Sequence, residues 1–242
     1  MMRYLLLALG LVAGTAFAGG ITKESISSAG RQRTYYLFVP QHPTGALIIT
    51  LHGSGRSGSI LVEHWQRLAE KEGIVLAGPQ AIESEGWRYP VDGPDFLRDV
   101  VEAVKAKVAI DPRRIYLFGH SAGAIFALKI SMLESEYFAA AAVHAGSLLV
   151  QDYVLFGNAR RKIPIWMVVG TWDKLFPLTE VRATRDALQK NGFPVELVEI
   201  AHHTHDYYGS SREINEKAWA FLSQQSLPSE PKYLIYATDS LL

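Results

Sequence analysis

Short continuous apolar segments recur along the chain, separated by segments in which apolar residues stand three and four positions apart. The first pattern is typical of buried parallel strands and the second of amphipathic helices. The predicted strands are residues 34–39, 46–51, 74–77, 114–118, 138–144, 165–169 and 195–200. The predicted helices are residues 59–71, 94–108, 124–130, 178–189 and 212–225. This alternation predicts an α/β fold with a mostly parallel central sheet and helices on both faces.

Three segments depart from the alternation. Residues 19–33 are polar and are predicted as a loop or an edge strand, and residues 147–162 are too mixed for any prediction. Residues 226–242 are predicted as an irregular C-terminal tail. A length of 242 residues favours one α/β domain, so we expect a single catalytic domain over residues 19–225.

The N-terminus has the organisation of a secretory signal peptide. Arg3 precedes an apolar stretch at residues 4–12, and Ala16-Phe17-Ala18 has the small residues of a cleavage site. The stretch is short and is interrupted by Gly10, which disfavours a membrane span. We predict that residues 1–18 are a signal peptide and that the protein is exported to the periplasm or secreted. An uncleaved N-terminal anchor is the alternative; after cleavage we expect no stable membrane association.

Composition narrows the function classes. Hydrophobic residues make up 48% and charged residues 20% of the chain, as in ordinary globular proteins. Lys and Arg together number 24, as do Asp and Glu, so no long-range field favours nucleic acid, and we expect no nucleic-acid partner. The chain has no cysteine, which excludes disulfides and a cysteine nucleophile. The oligomeric state cannot be read from the sequence.

A five-residue motif, Gly119-His120-Ser121-Ala122-Gly123, lies between a predicted strand and a predicted helix. In that context Gly-x-Ser-x-Gly is typical of a nucleophile elbow, a sharp turn that exposes the serine hydroxyl above the sheet. Glycine suits both flanking positions because it tolerates close approach and unusual backbone angles. We predict Ser121 as a nucleophile.

An acid and a base follow later strands. Asp173 comes after the strand at 165–169, and the strand at 195–200 is followed by His202, His203 and His205. Parallel sheets place functional groups at the carboxyl ends of their strands. The order serine, aspartate, histidine is that of a catalytic triad in which the histidine accepts the serine proton and the aspartate orients the histidine. We predict Asp173 as the acid, and the base is either His203 or His205.

Two other aspartates, Asp152 and Asp206, compete for the acid role, but neither follows a clear strand end with a helix behind it. The three histidines could instead bind a metal. Within four positions of one loop they cannot easily converge on one ion, and no carboxylate pattern supports zinc. We therefore predict no metal and no cofactor.

The strand at 46–51 leads into Leu51-His52-Gly53-Ser54-Gly55. An oxyanion hole needs one backbone N–H in such a loop and one from the residue after the nucleophile. We predict the backbone N–H groups of Ser54 and Ala122, with Gly55 as the alternative to Ser54. His52 is predicted to brace this loop.

Further motifs stand in a specific order along the chain. They are Leu51-His52-Gly53-Ser54-Gly55, Trp65, Pro79, Trp87, Phe96-Leu97, the run at 111–116, the Ser121 motif and Phe138-Ala139-Ala140. Together they resemble the polyhydroxybutyrate depolymerase and feruloyl or acetylxylan esterase group, secreted α/β-hydrolases of the carbohydrate-esterase type. The resemblance spans about residues 35–222. It implies an α/β-hydrolase fold and a serine esterase with Ser121, Asp173 and His205 as the triad.

The segment Thr204-His205-Asp206-Tyr207-Tyr208 also resembles the His-x-Tyr-Tyr run of the esterase D group, which favours His205 over His203 as the base. Two positions depart from the first group's pattern. Ser54 stands where that group often has cysteine, and Ala124 stands where it has a second glycine. Neither change removes a catalytic group.

The predicted function is an exported serine hydrolase that cleaves carboxylic esters through an acyl-enzyme. Its expected substrates are small-molecule or polymer-derived esters of the feruloyl, acetyl or short hydroxyacyl type. Trp87 and Trp172 are predicted to contact substrate, with Phe176 and Tyr207 as further candidates; ordinary core packing is the alternative for all four. A peptidase or thioesterase on the same fold, and a non-catalytic binding protein, are the competing functions.

Overall fold

The structure, a computed structural model, describes residues 19–234. The predicted signal peptide therefore lies outside the described residues. The strands are β1 (Thr22–Ser28), β2 (Arg31–Phe38), β3 (Leu47–Leu51), β4 (Val75–Pro79), β5 (Ile115–His120), β6 (Ala140–His144), β7 (Ile165–Gly170) and β8 (Val195–Ile200). The helices are α1 (Gly58–Glu72), α2 (Pro94–Lys105), α3 (Ala122–Leu133), α4 (Leu178–Lys190) and α5 (Tyr207–Leu222), with a 3-10 helix at Val150–Gly157.

The strands form one sheet in the order β1-β2-β4-β3-β5-β6-β7-β8. From β4 across to β8 every neighbouring pair is parallel, and β1 and β2 add an antiparallel edge. The predicted α/β class and mostly parallel sheet are confirmed. All six parallel strands end at the same edge of the sheet, and that edge holds the residues discussed below.

Helices cover both faces, as predicted. One core cluster packs α2, α3 and α4 against the sheet, and a second packs α1 and α5 against the other face. Local contacts define both ends of α1. Ser57 caps its start by accepting a hydrogen bond from the Ser59 N–H, and Gly73 ends it with a left-handed φ of 70°. None of the helices within residues 19–234 is long and apolar enough to cross a membrane.

Several boundaries differ from the sequence prediction. For the polar segment 19–33 the edge strand, rather than the loop, is confirmed, since the segment contains all of β1 and the start of β2, which pair as an edge hairpin. The unassigned segment 147–162 contains the 3-10 helix. Helix α2 ends at Lys105, where the Ala106 N–H closes the last turn. Helix α5 begins five positions earlier than predicted because the Asp206 carboxylate caps the N–H of Gly209.

The tail beyond α5 has no helix or strand over residues 226–234 and runs back across the domain. The Leu227 N–H donates to the carbonyl of Arg113, and the Lys232 N–H donates to that of Glu136. The Leu234 N–H donates to the carboxylate of Glu134, a side chain with no solvent exposure. Burial raises the pKa of Glu134 to about 8.

Candidate active site

Ser121 occupies the turn between β5 and α3 with φ 57° and ψ −121°, a conformation that non-glycine residues rarely adopt. The turn is tight enough to require its glycines. A Cβ at Gly119 would stand 2.3 Å from the Gly123 carbonyl oxygen, and one at Gly123 would stand 1.9 Å from that of Leu51. The backbone therefore has the geometry of a nucleophile elbow, with the Ser121 hydroxyl facing a cavity of about 410 Å³.

A continuous line of hydrogen bonds joins the serine to a histidine and an aspartate from two other strand ends. His205 Nε2 lies 3.0 Å from Ser121 Oγ, and His205 Nδ1 lies 2.8 Å from Asp173 Oδ2. These are ordinary hydrogen-bonding distances. With Nδ1–H donated to the carboxylate, Nε2 is left as the acceptor that faces the hydroxyl.

Asp173 is held rigidly. Its side chain is fully buried, and its second oxygen, Oδ1, accepts from the N–H groups of Leu175 and Phe176 at 2.9 Å each. Hydrogen bonds to both oxygens replace the hydrogen bonds to water that the carboxylate loses when it is buried. The Phe176 ring stacks on one face of the His205 imidazole, with the ring centroids 5.6 Å apart, and this contact also restrains the imidazole.

The competing residues of each type have other partners. His203 Nε2 lies 3.2 Å from His144 Nε2 and has no contact with Ser121 or Asp173, and the His202 ring packs on Trp172. Asp152 pairs with Lys129, and Asp206 caps α5. The three histidines of the loop thus have three different partners: Trp172 for His202, His144 for His203 and Ser121 for His205. Residues 19–234 contain no cluster of histidine and acidic side chains able to hold a metal.

The loop after β3 lies beside the elbow, with the Cβ position of Gly53 only 3.2 Å from Ser121 Cβ. The Gly55 N–H donates to the Ser84 carbonyl at 2.8 Å and is therefore occupied. The amides of Ser54 and Ala122 have no acceptor among the described residues, and Ala122 is the first residue of α3, whose N–H has no partner within the helix. This leaves Ser54, rather than Gly55, with a free donor in the loop.

His52 braces this loop from beneath. Its Nε2 accepts from the Ala81 N–H at 3.2 Å, which leaves Nδ1–H to donate to the Gly53 carbonyl at 2.9 Å. Burial lowers the pKa of His52, so the ring stays neutral in this role. The indole N–H of Trp87 donates to the His52 carbonyl at 2.9 Å and fixes the same loop from the other side.

The four aromatic residues predicted to contact substrate lie in different places; Phe176 stacks on His205, as described above. Trp87 stacks on Phe126 in a neighbouring cavity of about 280 Å³, and Trp172 is 60% exposed at the surface. Neither is among the described residues that line the cavity at Ser121. Tyr207 is wholly buried and donates to Asn215, so core packing is its role and the pocket assignment is wrong.

Sequence reasoning missed several residues that line the cavity or lie beside it. Arg56, Leu175 and Tyr208 line it, and the Arg56 guanidinium lies 5.0 Å from the centre of the Tyr208 ring. His120, inside the elbow motif, is buried and also lines the cavity. Its position between a glycine and the serine was visible in the sequence, but its partner His144 was not marked by any motif.

Comparisons with known proteins agree with this architecture. Residues 81–225 match the model of the Dienelactone hydrolase family. NocK of Nocardia uniformis subsp. tsuyamanensis, a protein assigned as an esterase, is 31% identical over 173 residues, covering 64% of this chain and 49% of NocK. The bifunctional acetylxylan esterase/xylanase XynS20E of Neocallimastix patriciarum is 26% identical over 161 residues, covering 63% of this chain and 23% of that protein. The chain thus spans at most about half the length of these curated relatives.

Solved structures show the same fold. The S-formylglutathione hydrolase of Agrobacterium tumefaciens superposes with a TM-score of 0.68 at 16% identity, over 87% of this chain and 97% of that one. A thermostable esterase superposes with a TM-score of 0.65 at 23% identity, over 85% of this chain and 63% of its own. Likeness at this identity establishes the α/β-hydrolase fold and no more.

Proposed function

Since this chain belongs to the dienelactone hydrolase family, we propose that it is a serine hydrolase that cleaves carboxylic esters through an acyl-enzyme. The observation that carries the proposal is the line of hydrogen bonds from Asp173 through His205 to Ser121. In the proposal Ser121 is the nucleophile, His205 the base and Asp173 the acid of a triad.

The proposed reaction follows from the atoms at the site. His205 Nε2 accepts the proton of Ser121 Oγ as that oxygen attacks the ester carbonyl. The negative charge that develops on the carbonyl oxygen is met by the N–H groups of Ser54 and Ala122, each worth about 3–4 kcal/mol of transition-state stabilisation. The His205 imidazolium, stabilised by Asp173, returns the proton to the leaving alcohol. Water then attacks the acyl-enzyme in the same way, with His205 accepting its proton and returning it to Ser121 Oγ, and the carboxylic acid product is released.

We propose feruloyl, acetyl or short hydroxyacyl esters as substrates, as in the polyhydroxybutyrate depolymerase and carbohydrate-esterase group that the motifs resemble. The acetylxylan esterase named among the relatives supports the same class. Trp87 remains a candidate for contact with a longer substrate, through the cavity that it shares with Phe126, and Trp172 through its exposed ring beside the His205 loop. We further propose export to the periplasm or medium on the strength of the signal-peptide pattern at residues 1–18.

The test is a hydrolysis screen combined with covalent labelling. We expect p-nitrophenyl acetate and a feruloyl ester to be hydrolysed, an aminoacyl nitroanilide and a thioester to be poor substrates, and a fluorophosphonate probe to label the wild type. Ser121→Ala is expected to abolish both turnover and labelling, whereas Ser223→Ala, at an exposed serine after α5, leaves both unchanged.

Each alternative has its own outcome. Faster cleavage of the nitroanilide or the thioester than of any ester would favour a peptidase or a thioesterase. Absence of labelling in the folded wild type, with no hydrolysis of any substrate, would favour a binding protein.

A further inference from the structure

Three imidazoles outside the proposed triad form a chain beneath it. His120 Nδ1 lies 2.9 Å from His144 Nδ1, and His144 Nε2 lies 3.2 Å from His203 Nε2. His120 ends β5 and His144 ends β6, while His203 belongs to the loop after β8. His120 and His144 are almost wholly buried, and His203 is partly exposed. This chain of imidazoles thus runs from the wall of the cavity at Ser121 to the surface.

The three imidazoles are linked to all three proposed triad residues, either by proximity in sequence or through a neighbouring residue. His120 immediately precedes Ser121, and its ring centre lies 4.9 Å from that of His205. The carbonyl of His203 accepts from the N–H of Trp172 at 2.9 Å, and Trp172 immediately precedes Asp173. His203 itself stands two positions before His205. A single set of hydrogen bonds therefore connects the three loops that carry the site.

Backbone strain is concentrated at the same positions. The described residues contain four non-glycine residues with positive φ, and one of them, Ala29, lies in the distant β1–β2 turn. The other three are Ser121, Ala145 and His202, with φ of 57°, 53° and 61°. Each of these three is the chain neighbour of one of the three imidazoles. Strained conformations persist only where the surrounding structure holds them in place, and the imidazole chain is placed to do this.

An N···N contact between two neutral imidazoles needs one proton and one lone pair, so a chain of three must have its protons ordered in a single direction. The two buried rings remain neutral over the ordinary pH range. Burial, together with the neighbouring imidazoles, lowers the pKa of His144 to about 2 and that of His120 to about 3. His120 and His144 therefore add no positive charge beside His205.

We propose that His120, His144 and His203 form a proton-ordered imidazole chain that positions the Ser121 elbow against the His205 loop, with His144 as the bridging positioning residue. The inference rests on the proposed function for its kinetic consequences. Its structural content, three ordered tautomers across two N···N hydrogen bonds, is independent of any substrate.

The first experiment is NMR of the folded protein labelled with ¹⁵N at histidine, near pH 6.5. We expect one fixed neutral tautomer at each of His120 and His144, and two solvent-protected N–H protons shared between ring nitrogens. Both protons are expected to vanish in His144→Met, whereas His42→Met, at an exposed histidine in the loop before β3, leaves them in place. Rapid tautomer averaging at His144, or a charged His144 at this pH, overturns the proposal.

The second experiment separates positioning from packing. His144→Met retains the volume but loses both hydrogen bonds, whereas His144→Gln retains a donor and an acceptor. We expect His144→Met to lower kcat at least tenfold with KM within twofold, and His144→Gln to recover most of that loss, at equal thermal stability. Loss of the outer contact in His203→Leu is expected to lower kcat in the same way, with recovery in His203→Gln. Should His144→Met fail to fold, the His203 pair decides.

The outcomes are distinguishable from failure of the proposed function. A wild type that hydrolyses nothing and takes no fluorophosphonate contradicts the proposed function, and the NMR experiment still decides on the chain. A wild type that hydrolyses esters, with His144→Met or His203→Leu within twofold of its kcat, overturns the positioning role alone.

Discussion

Asp173 holds His205 through one carboxylate oxygen, at 2.8 Å from Nδ1, while its other oxygen is occupied by two backbone N–H groups. Because the carboxylate oxygen that faces Nδ1 accepts a hydrogen bond, the imidazole carries its proton on Nδ1. The carboxylate plane cannot tilt away from His205 without weakening the two hydrogen bonds to its other oxygen in a buried site. The orientation of His205 is therefore determined by the short turn that follows β7.

The first prediction concerns Asp173→Asn. The amide oxygen is expected to take the two N–H groups of Leu175 and Phe176, which turns the NH₂ towards His205. The imidazole must then accept at Nδ1 and carry its proton on Nε2, so it can no longer take the proton of Ser121. We expect kcat for ester hydrolysis to fall by about 10³–10⁴-fold with little change in stability. Asp186→Asn, at an exposed carboxylate on α4, is the control; similar kcat in the two variants contradicts this account.

The second prediction uses the strain at the elbow. Ser121→Gly and Ser121→Ala both remove the hydroxyl, but only glycine adopts φ 57° and ψ −121° without strain. We expect the glycine variant to be about 1 kcal/mol more stable than the alanine variant, after the flexibility of glycine in the unfolded chain is set against the strain relieved. Thermal unfolding measures this as about 2–4 °C for a domain of this size. An alanine variant that is the more stable of the two would show that the turn is unstrained.

The third prediction concerns the contact between the elbow helix and the loop after β3. A Cβ at Gly123 would meet the Leu51 carbonyl oxygen at 1.9 Å, so Gly123→Ala must displace one of the two backbones. We expect a loss of about 3 kcal/mol or more in the free energy of unfolding, measured with denaturant. Gly157→Ala is the matched control, because that glycine has no heavy atom within 4 Å of its Cβ position. Comparable losses at the two positions would be inconsistent with the close approach.

The fourth prediction concerns Glu134, whose pKa is raised by burial from 4.5 to about 8. Between these values the unfolded chain has released a proton that the folded chain keeps, so stability declines as pH rises through this window. Glu134→Gln removes the titration and keeps the shape. We expect the variant to match the wild type in denaturant unfolding at pH 4.5 and to exceed it at pH 8.5. Glu213→Gln, at an exposed position on α5, is the control; a constant difference between Glu134→Gln and wild type at both pH values rules out this titration.

Much of the fold could be predicted because its signals are local. Continuous apolar runs marked the parallel strands, and apolar residues three and four positions apart marked the helices. Where the sequence left a choice or was wrong, the reasons differ. Residues 19–33 were predicted as a loop or an edge strand, and pairing with β2 makes residues 22–28 a strand. The first turn of α5 was missed although Asp206 caps it locally, and Tyr207 in that turn packs in the core.

The candidate site could likewise be predicted from the sequence only in part. The Ser121 elbow and Asp173 follow strand ends in the sequence, and the register of a parallel sheet brings such ends to one edge. The choice between His203 and His205 needed a resemblance to another group, since both imidazoles lie in one loop. The structure brings His205 to Ser121, and the choice of Ser54 over Gly55 rests on a hydrogen bond from Gly55 to the distant Ser84.

The sequence by itself predicted the succession of parallel strands and helices, the serine elbow and the candidate acid Asp173, because each of these rests on residues within a few positions of one another. Only the tertiary structure decided which histidine faces the serine, that Tyr207 belongs to the core, and that His120, His144 and His203 meet beneath the site. The histidine contacts join residues 24 to 84 positions apart. They depend on which strands become neighbours in the sheet and on how the loops beyond them pack, and no pattern within a few positions of the chain determines either.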